Sequence, residues 1–575
     1  MDITMKKPVI EFQDVHFQYK SQAEPTLKDI NLTIYEGEKV CIVGPSGSGK
    51  STLVHLLNGL APFAYEGDIS GSVKIQGQET RNLDIFSISL LVGTVQQDTD
   101  SQFIGITVAE DIAFSLENNA VPLAEMYKRV PHAADIVQMS SHLHARIYEL
   151  SGGQKQRVAL AGVLVNEVDI VLFDEPLANL DPASGLSAMA LIDDLQKKEN
   201  KTVIIVEHRL EDVLSQSVDR IILMDHGRII ANTTPNEILA NSLLTKHSIR
   251  EPLYIKALKY ANCQLDAAMN LASIHDLDMT SFTDNINAWV TDHPANQTED
   301  IDSPIILDLK NLSFAYPEQA PTLSNINLQI QKGEMLSIVG ANGTGKSTLG
   351  KLICGFEKPT GGSIQFEGKD GANDSMKERG ERVGFVLQNP NHMFSKQIVH
   401  EEVAFGLLHK GVDPLEVNER VEKTLKVCGL YPFRNWPISA LSYGQKKRLS
   451  IATILILSPA IIVLDEPTAG QDYKHTSELM TFLESLQQRG ITIILITHDM
   501  HMITEYTKRA IVLCDGEIIA DDSPARILAN HALIERANLK QSSLHELANR
   551  LSIQDHAQFV ENFIQYDREV RFNEQ

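Results

Sequence analysis

No run of eighteen apolar residues occurs in this 575-residue chain, so no membrane-spanning helix is expected. The longest greasy stretch, Ile451 to Leu464, is interrupted by Ser458 and Pro459. Cysteine is scarce. Cys41, Cys263, Cys354, Cys428 and Cys514 form no C-x-x-C pair, which argues against a zinc site or a disulfide framework and for a reduced, cytoplasmic setting. The opening "MDITMKKPVIEF" has no long apolar core behind its lysines, so it does not read as a secretory signal. Positive charge is also short. The formal net charge is -24, and an acidic surface repels phosphate backbones, so direct nucleic-acid binding is disfavoured.

What is present is written twice. "GPSGSGKST" begins at Gly44 and "GANGTGKST" at Gly340; "LSGGQ" begins at Leu150 and "LSYGQ" at Leu441; "LFDEP" begins at Leu172 and "VLDEP" at Val463. The landmarks keep step at an offset near 291 residues, which reads as a tandem duplication. The expected layout is a first domain over 1–240, a helical extension and acidic linker over 241–303, a second domain over 304–530 and a helical tail over 531–575. The linker follows from composition: Tyr260 to Leu309 contains no Lys or Arg, and "TDHPANQTEDIDSP" reads as exposed. The stretch before it, "EPLYIKALKYANCQLDAAMNLA", has helical spacing and is expected to pack on the first domain.

"DIVLFDEP", "AIIVLDEP", "TVIIVEH" and "TIILITH" are apolar runs of strand length, as expected of strands buried on both faces of a parallel sheet. Their alternation with helical patterns predicts an α/β fold. Both glycine-rich segments fit G-x-x-x-x-G-K-[ST] between a strand and a helix, the context in which backbone N–H groups curl around phosphates. The candidate phosphate binders are Gly44, Pro45, Ser46, Gly47, Ser48, Gly49, Lys50, Ser51 and Thr52, and Gly340, Ala341, Asn342, Gly343, Thr344, Gly345, Lys346, Ser347 and Thr348. Lys50 and Lys346 would reach the β- and γ-phosphates, and Ser51 and Ser347 would ligate Mg²⁺. Asp174 and Asp465 end buried strands and would hold Mg²⁺, with Glu175 and Glu466 next to them placed to orient an attacking water. His208 and His498 follow strands and could donate to a γ-phosphate; taken alone, each would read as an ordinary polar strand end. Gln97 and Gln388 also follow strand-like runs and could contact Mg²⁺ or water. Tyr19 and Tyr316, upstream of the loops, could stack on a base or be half-buried strand tyrosines.

With phosphate loop, Gln, "LSGGQ", "DEP" and His in this order, the chain resembles an ATP-binding-cassette (ABC) ATPase, twice and over nearly its whole length. The resemblance implies tandem P-loop NTPase domains, each with a helical signature subdomain, ATP and Mg²⁺ as ligands, and head-to-tail association of the two halves. It implies two composite sites: Tyr19, Lys50, Ser51, Gln97, Asp174, Glu175 and His208 closed by Ser442 and Gly444, and Tyr316, Lys346, Ser347, Gln388, Asp465, Glu466 and His498 closed by Ser151 and Gly153. The turns "ANLD" (Ala178 to Asp181) and "AGQD" (Ala469 to Asp472) match the family's D-loop. The first glycine of the second signature is replaced by Tyr443. With φ below zero its side chain would be tolerated; with φ above zero it would be strained by roughly 1–2 kcal/mol.

The segments after the glutamines, "DTDSQFIGITVAEDIAF" and "NPNHMFSKQIVHEEVAFG", are similar to those of energy-coupling-factor (ECF) and cobalt or nickel importers, the second departing where Met393 replaces the glutamine found at Gln102. "VEHRLE", Val206 to Glu211, resembles the same subgroup. That resemblance implies an import motor for a vitamin or a transition-metal ion. It would be peripheral on the cytoplasmic face of the cell membrane, docked on an integral coupling protein and a substrate-binding membrane subunit through surfaces near Gln102 to Phe114 and Met393 to Phe405. Twin-cassette factors acting on ribosomes carry a basic linker, and this linker has none. Chromosome-maintenance cassettes insert a long coiled coil between phosphate loop and signature, and here Lys50 to Ser151 is short. Zinc-bearing excision cassettes need cysteine pairs. An exporter ATPase shares the catalytic motifs and differs only in the segments after the glutamines.

Overall fold

The computed structural model describes residues 7–97, 101–178, 180–294, 303–318 and 320–574. Residues 98–100, which open the segment after Gln97, Asn179 of the first D-loop turn and 295–302 of the acidic linker lie outside the described residues. The chain divides into two compact units, Met1–Trp289 with Asp472–Lys474, and Val290–Gln471 with His475–Gln575.

Each unit is built on two sheets. In the first, six strands run in the order Arg228–Thr233, Arg220–Asp225, Lys39–Val43, Thr202–Val206, Ile170–Asp174, Val92–Val95. All neighbours are parallel except the edge pair Arg228–Thr233 and Arg220–Asp225. The central strands are continuous apolar runs because helices cover both faces, so neither face needs polar residues. The second unit repeats the order: Val383–Val386, Ile461–Asp465, Thr492–Ile496, Met335–Val339, Arg509–Cys514, Glu517–Asp522. A four-stranded antiparallel sheet completes each unit, ordered Leu27–Tyr35, Pro8–Tyr19, Gly67–Ile75, Gln78–Glu79 in the first and Pro321–Gln331, Ile305–Ala315, Gly361–Phe366, Lys369–Asp370 in the second. Alternating side chains of the antiparallel sheet, such as Ile10, Phe12 and Val15, close one core with Ile42, Leu53 and Ile204.

Three helices form the signature subdomain of each unit: Val108–Asn118, Leu123–Ile136 and Gly152–Leu164, and Val399–His409, Pro414–Val427 and Tyr443–Leu455. In the second unit Val403, Leu407, Val421, Leu425, Leu449 and Ala452 make a core of their own.

The extension differs from its expected helix. Leu253–Tyr260 is helical, then Asn262 turns to φ 55° and the chain continues in turns to a further helix, Thr283–Asp292. A left-handed Asn ends a helix at little cost, which the helical spacing alone does not reveal. The extension packs on the first cassette as expected: Leu253 N donates to Glu211 Oε2 at 3.0 Å and Ala272 N to Asn236 Oδ1 at 2.9 Å. Leu271, Phe282, Ile286 and Trp289 are buried, so much of this acidic stretch is packed. After Pro524–Ala529, which ends the second cassette, the described residues of the tail form three helices, His531–Ala537, Ser543–Arg550 and His556–Glu574. No helix of the described residues is long and apolar enough to cross a membrane.

Candidate active site

The strand order sets the site. The phosphate loop leaves the carboxyl end of Lys39–Val43, and on one side the neighbouring strands end at Val206, before His208, and at Asp174, with Gln97 after the edge strand Val92–Val95. Four groups far apart in sequence therefore emerge at one sheet edge, the usual place for a ligand in an open parallel sheet. The second unit repeats this with Lys346, His498, Asp465 and Gln388.

Gly44–Ser48 and Gly340–Thr344 wrap the loop, and helices begin at Lys50 and Lys346. Gly49 and Gly345 cap them at φ 101° and 96°, where a Cβ would meet Leu27 Cδ2 at 2.8 Å and Leu323 Cδ2 at 2.7 Å. Only glycine fits both the backbone and the space. Lys50 Nζ donates to Gly44 O at 2.7 Å and Pro45 O at 3.0 Å, and Lys346 Nζ to Gly340 O at 2.8 Å and Ala341 O at 2.7 Å. Both ammonium groups are thus buried inside their own loops. Thr52 and Thr348 point back into the fold: Thr52 Oγ1 bonds to Tyr19 Oη at 3.0 Å and Thr348 Oγ1 to Tyr316 Oη at 3.3 Å. The two tyrosines are half-buried, each edge-on to a phenylalanine, Phe17 or Phe314.

Burial pushes the Asp174 carboxyl up to about 6, with the Glu175 charge adding to the rise and Lys50 and His208 opposing it. Asp465 is raised for the same reason, against a hydrogen bond with Ser347. Lys50 is pushed down by burial, against the pull of Glu175 and Asp174. Glu175 and Glu466 sit in left-handed backbone, φ 49° and 44°, a conformation that costs a non-glycine residue of order 1 kcal/mol. Their amides are held by Val206 O at 2.9 Å and Ile496 O at 2.8 Å. The twist turns each carboxylate back over the strand ends.

The two copies hold that carboxylate differently. Gln97 Nε2 donates to Glu175 Oε2 at 2.7 Å, and His208 Nε2 lies 2.9 Å from Glu175 Oε1. In the second copy His498 Nδ1 lies 2.7 Å from Glu466 Oε1, and among the described residues the exposed Gln388 amide has no hydrogen-bond partner.

The signature pentapeptides start helices. Ser151 and Ser442 are N-caps; each hydroxyl accepts from the Gln154 or Gln445 amide at 3.3 Å, while that glutamine's Oε1 accepts from the serine N–H at 2.9 Å. Ser and Gln at this spacing are a reciprocal capping box. Tyr443 is the first helical residue and has negative φ, so the strain that positive φ would impose is absent. Gly153 and Gly444 lie one position further on, beside Ser184 and His475.

Three features lay outside the sequence reading. Glu207, between Val206 and His208, is buried; its Oε2 accepts from Leu177 N at 3.2 Å and its Oε1 from His208 N at 3.1 Å, tying the turns after the two strands together. An acid closing an apolar strand was the available signal, but the second copy has Thr497 there. Asp111 and Glu402 accept from the backbone of the segments after the glutamines: Ile104 N and Gly105 N at 2.9 and 3.0 Å, Ser395 N and Lys396 N at 2.8 and 2.5 Å. Lys447 is buried in the second signature helix, and burial, opposed by Asp465 and Glu466, lowers it to about 8. In the segments expected to dock, Phe103, Phe114 and Phe394 are half-buried, and Ile104, Ile106 and Phe405 carry the exposed apolar surface, with Leu408 just beyond.

The residues fit a magnesium nucleotide by their chemistry. Each loop buries a lysine on main-chain carbonyls a few residues from a helix start, and across the strand ends burial raises an aspartate's hold on its proton. A polyanion beside the lysine and a divalent cation beside the aspartate would relieve both.

The family model described as "ABC transporter" matches residues 27–178 and again 323–469. A protein of Clostridium perfringens (strain 13 / Type A) with the name ABC transporter ATP-binding protein is 56% identical over 98% of this chain and 100% of its own length. The chain belongs to the ABC transporter ATPases. An ABC transporter ATP-binding protein of Enterococcus faecalis is 53% identical over 99% of this chain and 100% of its own. A second family model, described as "ATP-binding cassette cobalt transporter", matches residues 241–314 of this ABC ATPase. The solved structure of cbiO1 from Clostridium perfringens, part of the ABC transporter complex cbiONQ, covers 44% of this chain and 100% of its own at 33% identity, with a TM-score of 0.39. The chain is therefore an ATP-hydrolysing subunit of a transporter, with two ABC cassettes in sequence.

Proposed function

We propose that this ABC ATPase is the motor of an ECF-type importer for a vitamin or a transition-metal ion, bound at the cytoplasmic face of the membrane to an integral coupling protein that carries a substrate-binding subunit. The observation that carries the reading is the match of residues 241–314, the extension between the cassettes, to a family described as a cobalt transporter. The segments after Gln97 and Gln388 support it, with their exposed Ile104, Ile106 and Phe405 as the membrane-partner surface.

The two halves pair head to tail, so the loop of Lys50 is closed by Ser442 and Gly444, and that of Lys346 by Ser151 and Gly153. Lys50 and Lys346 leave their carbonyl partners to bind the β- and γ-phosphates of ATP. Ser51, Asp174 and Gln97, and Ser347, Asp465 and Gln388, would hold Mg²⁺, which supplies charge neutralisation at the phosphates when bound. Glu175 and Glu466 accept a hydrogen bond from the attacking water and orient it; His208 and His498, now on those carboxylates, turn to the γ-phosphate. Tyr19 and Tyr316 line the base. The domain limits that go with this reading are 1–240 and 304–530 for the cassettes, with 241–303 and 531–575 as extension and tail.

Cells making this chain with an integral coupling protein and a substrate-binding membrane subunit, and given radiolabelled cobalt or a labelled vitamin, are expected to accumulate label only with Glu175 and Glu466 intact. Accumulation that survives E175Q/E466Q, or net efflux, contradicts the reading.

A further inference from the structure

The two cassettes hold the loops of Gln97 and Gln388 by different means. In the first, the hold comes from inside the loop: Gln102 Oε1 accepts from Gln96 N at 3.0 Å and Gln102 Nε2 donates to Thr94 O at 3.3 Å. In the second, the matched position is Met393. Its thioether accepts from Leu387 N at 3.3 Å, a weak bond, and has no proton to donate. The loop's carbonyls are taken from elsewhere. Lys447 Nζ donates to Gln388 O and, at 3.3 Å, to Leu387 O; Tyr443 Oη donates to Gln388 O at 3.4 Å. Tyr443 and Lys447 are one turn apart on the signature helix and so share a face. The first cassette has Gly152 and Gln156 at these places, and Gln156 Nε2 reaches a different turn, Pro176 O at 2.6 Å. Three departures between the copies, at Met393, Tyr443 and Lys447, thus meet at one short segment of backbone. A buried ammonium is retained only where acceptors satisfy it, and these carbonyls do so with Asp465 and Glu466 nearby.

We propose that Tyr443 and Lys447 are positioning residues for Gln388: from the signature helix they supply the hold that Gln102 exerts within the first cassette, so that in the second cassette the glutamine loop and the signature helix move as one piece. This accounts for the tyrosine in "LSYGQ". It is a tether, and the serine and glutamine of the capping box are untouched by it. The consequence for metal binding rests on the reading above in which Gln388 faces Mg²⁺; the tether itself does not.

The test uses the full chain and amide hydrogen exchange, read in the peptide spanning residues 385–395. K447Q/Y443F is expected to exchange there about tenfold faster than the parent, with the strands Ile461–Asp465 and Thr492–Ile496 unchanged. Adding M393Q, which restores the first cassette's device, is expected to return exchange to within about threefold of the parent. The half-saturating Mg²⁺ concentration for crosslinking labelled ATP to the second half should rise severalfold in K447Q/Y443F and fall back in the triple variant. Exchange unchanged within about twofold, exchange raised evenly across the second unit, or no rescue by M393Q overturns the tether. Local exchange with rescue but an unmoved Mg²⁺ dependence upholds the tether and removes Gln388 from the metal. Should K447Q/Y443F fail to fold, Y443F alone, a change at a half-exposed side chain, is read the same way: about threefold faster local exchange supports the tether and none overturns it.

Discussion

Gln97 Nε2 donates to Glu175 Oε2 at 2.7 Å. With His208 on the other oxygen, Glu175 has two side-chain holders, whereas among the described residues Glu466 has His498 alone. Loss of the histidine is therefore expected to weigh more on the second site. In single-turnover hydrolysis, E175Q/H498A, which leaves only the second site, should fall by about 10²-fold against E175Q, and E466Q/H208A by about tenfold against E466Q. Equal losses would remove the role given to Gln97.

Asp174 gives a pH signature. Its folded-state pKa is raised to about 6, so the fold binds that proton more tightly than the unfolded chain. The stabilisation is complete below the ordinary carboxylate range and is lost as pH rises through about 6. D174N should raise the stability of the nucleotide-free protein above about pH 7, by roughly 1–3 kcal/mol, and change it little near pH 4. Thermal unfolding at the two pH values, with and without Mg²⁺, measures this; at the higher pH Mg²⁺ should stabilise the parent more than D174N, which keeps only the site of Asp465. A variant less stable than the parent at high pH would contradict the account.

A buried ion pair separates the two cores. Lys39, fully buried in the phosphate-loop strand, bonds to Asp193, which also takes Lys197 at 2.8 Å; the second cassette has Met335 at the matched strand position. Removing one partner strands a charge, so D193A should cost roughly 3–5 kcal/mol, while K39M/D193L should recover most of that loss. Denaturant unfolding of the three proteins decides it, and a double variant as weak as D193A would show that the apolar replacement does not pack.

The proposed head-to-tail pairing predicts a crossed effect. S442R should strip labelled nucleotide from the half containing Lys50, in which Ser442 does not lie. It should add little to E175Q but disable the remaining site in E466Q, since changes within one unit are non-additive. Loss of crosslinked label from the second half instead would show that each signature serves its own cassette.

Much of the site was legible because duplication made it so. Asp174 and Asp465, Lys50 and Lys346, His208 and His498 recur in step after apolar runs, and the parallel sheet has few other places to put them. Comparing the copies hid what they do not share. Glu207 corresponds to Thr497 in the second copy, so its buried links to Leu177 and His208 left no paired signal. Lys447 sits in "QKKRL", a run that looks solvated; the phase of the helix, with Lys447 and Ile451 turned inward, decides its burial. The stretch after Tyr260 kept helical spacing but bends at Asn262, because backbone conformation at one residue outweighs a pattern of side chains. A surface over Met393 to Phe405 was expected to meet a partner, yet Phe394 within it packs against the subdomain core.

The most direct test of the account is ATP turnover by E175Q/E466Q alongside its equilibrium binding of Mg·ATP. The central claim is that two carboxylates, each held at the end of a buried strand in left-handed backbone, orient the water for hydrolysis. Binding within about threefold of the parent with turnover lowered by about 10²-fold or more is the predicted result. Turnover within about threefold of the parent, with binding intact, would contradict it.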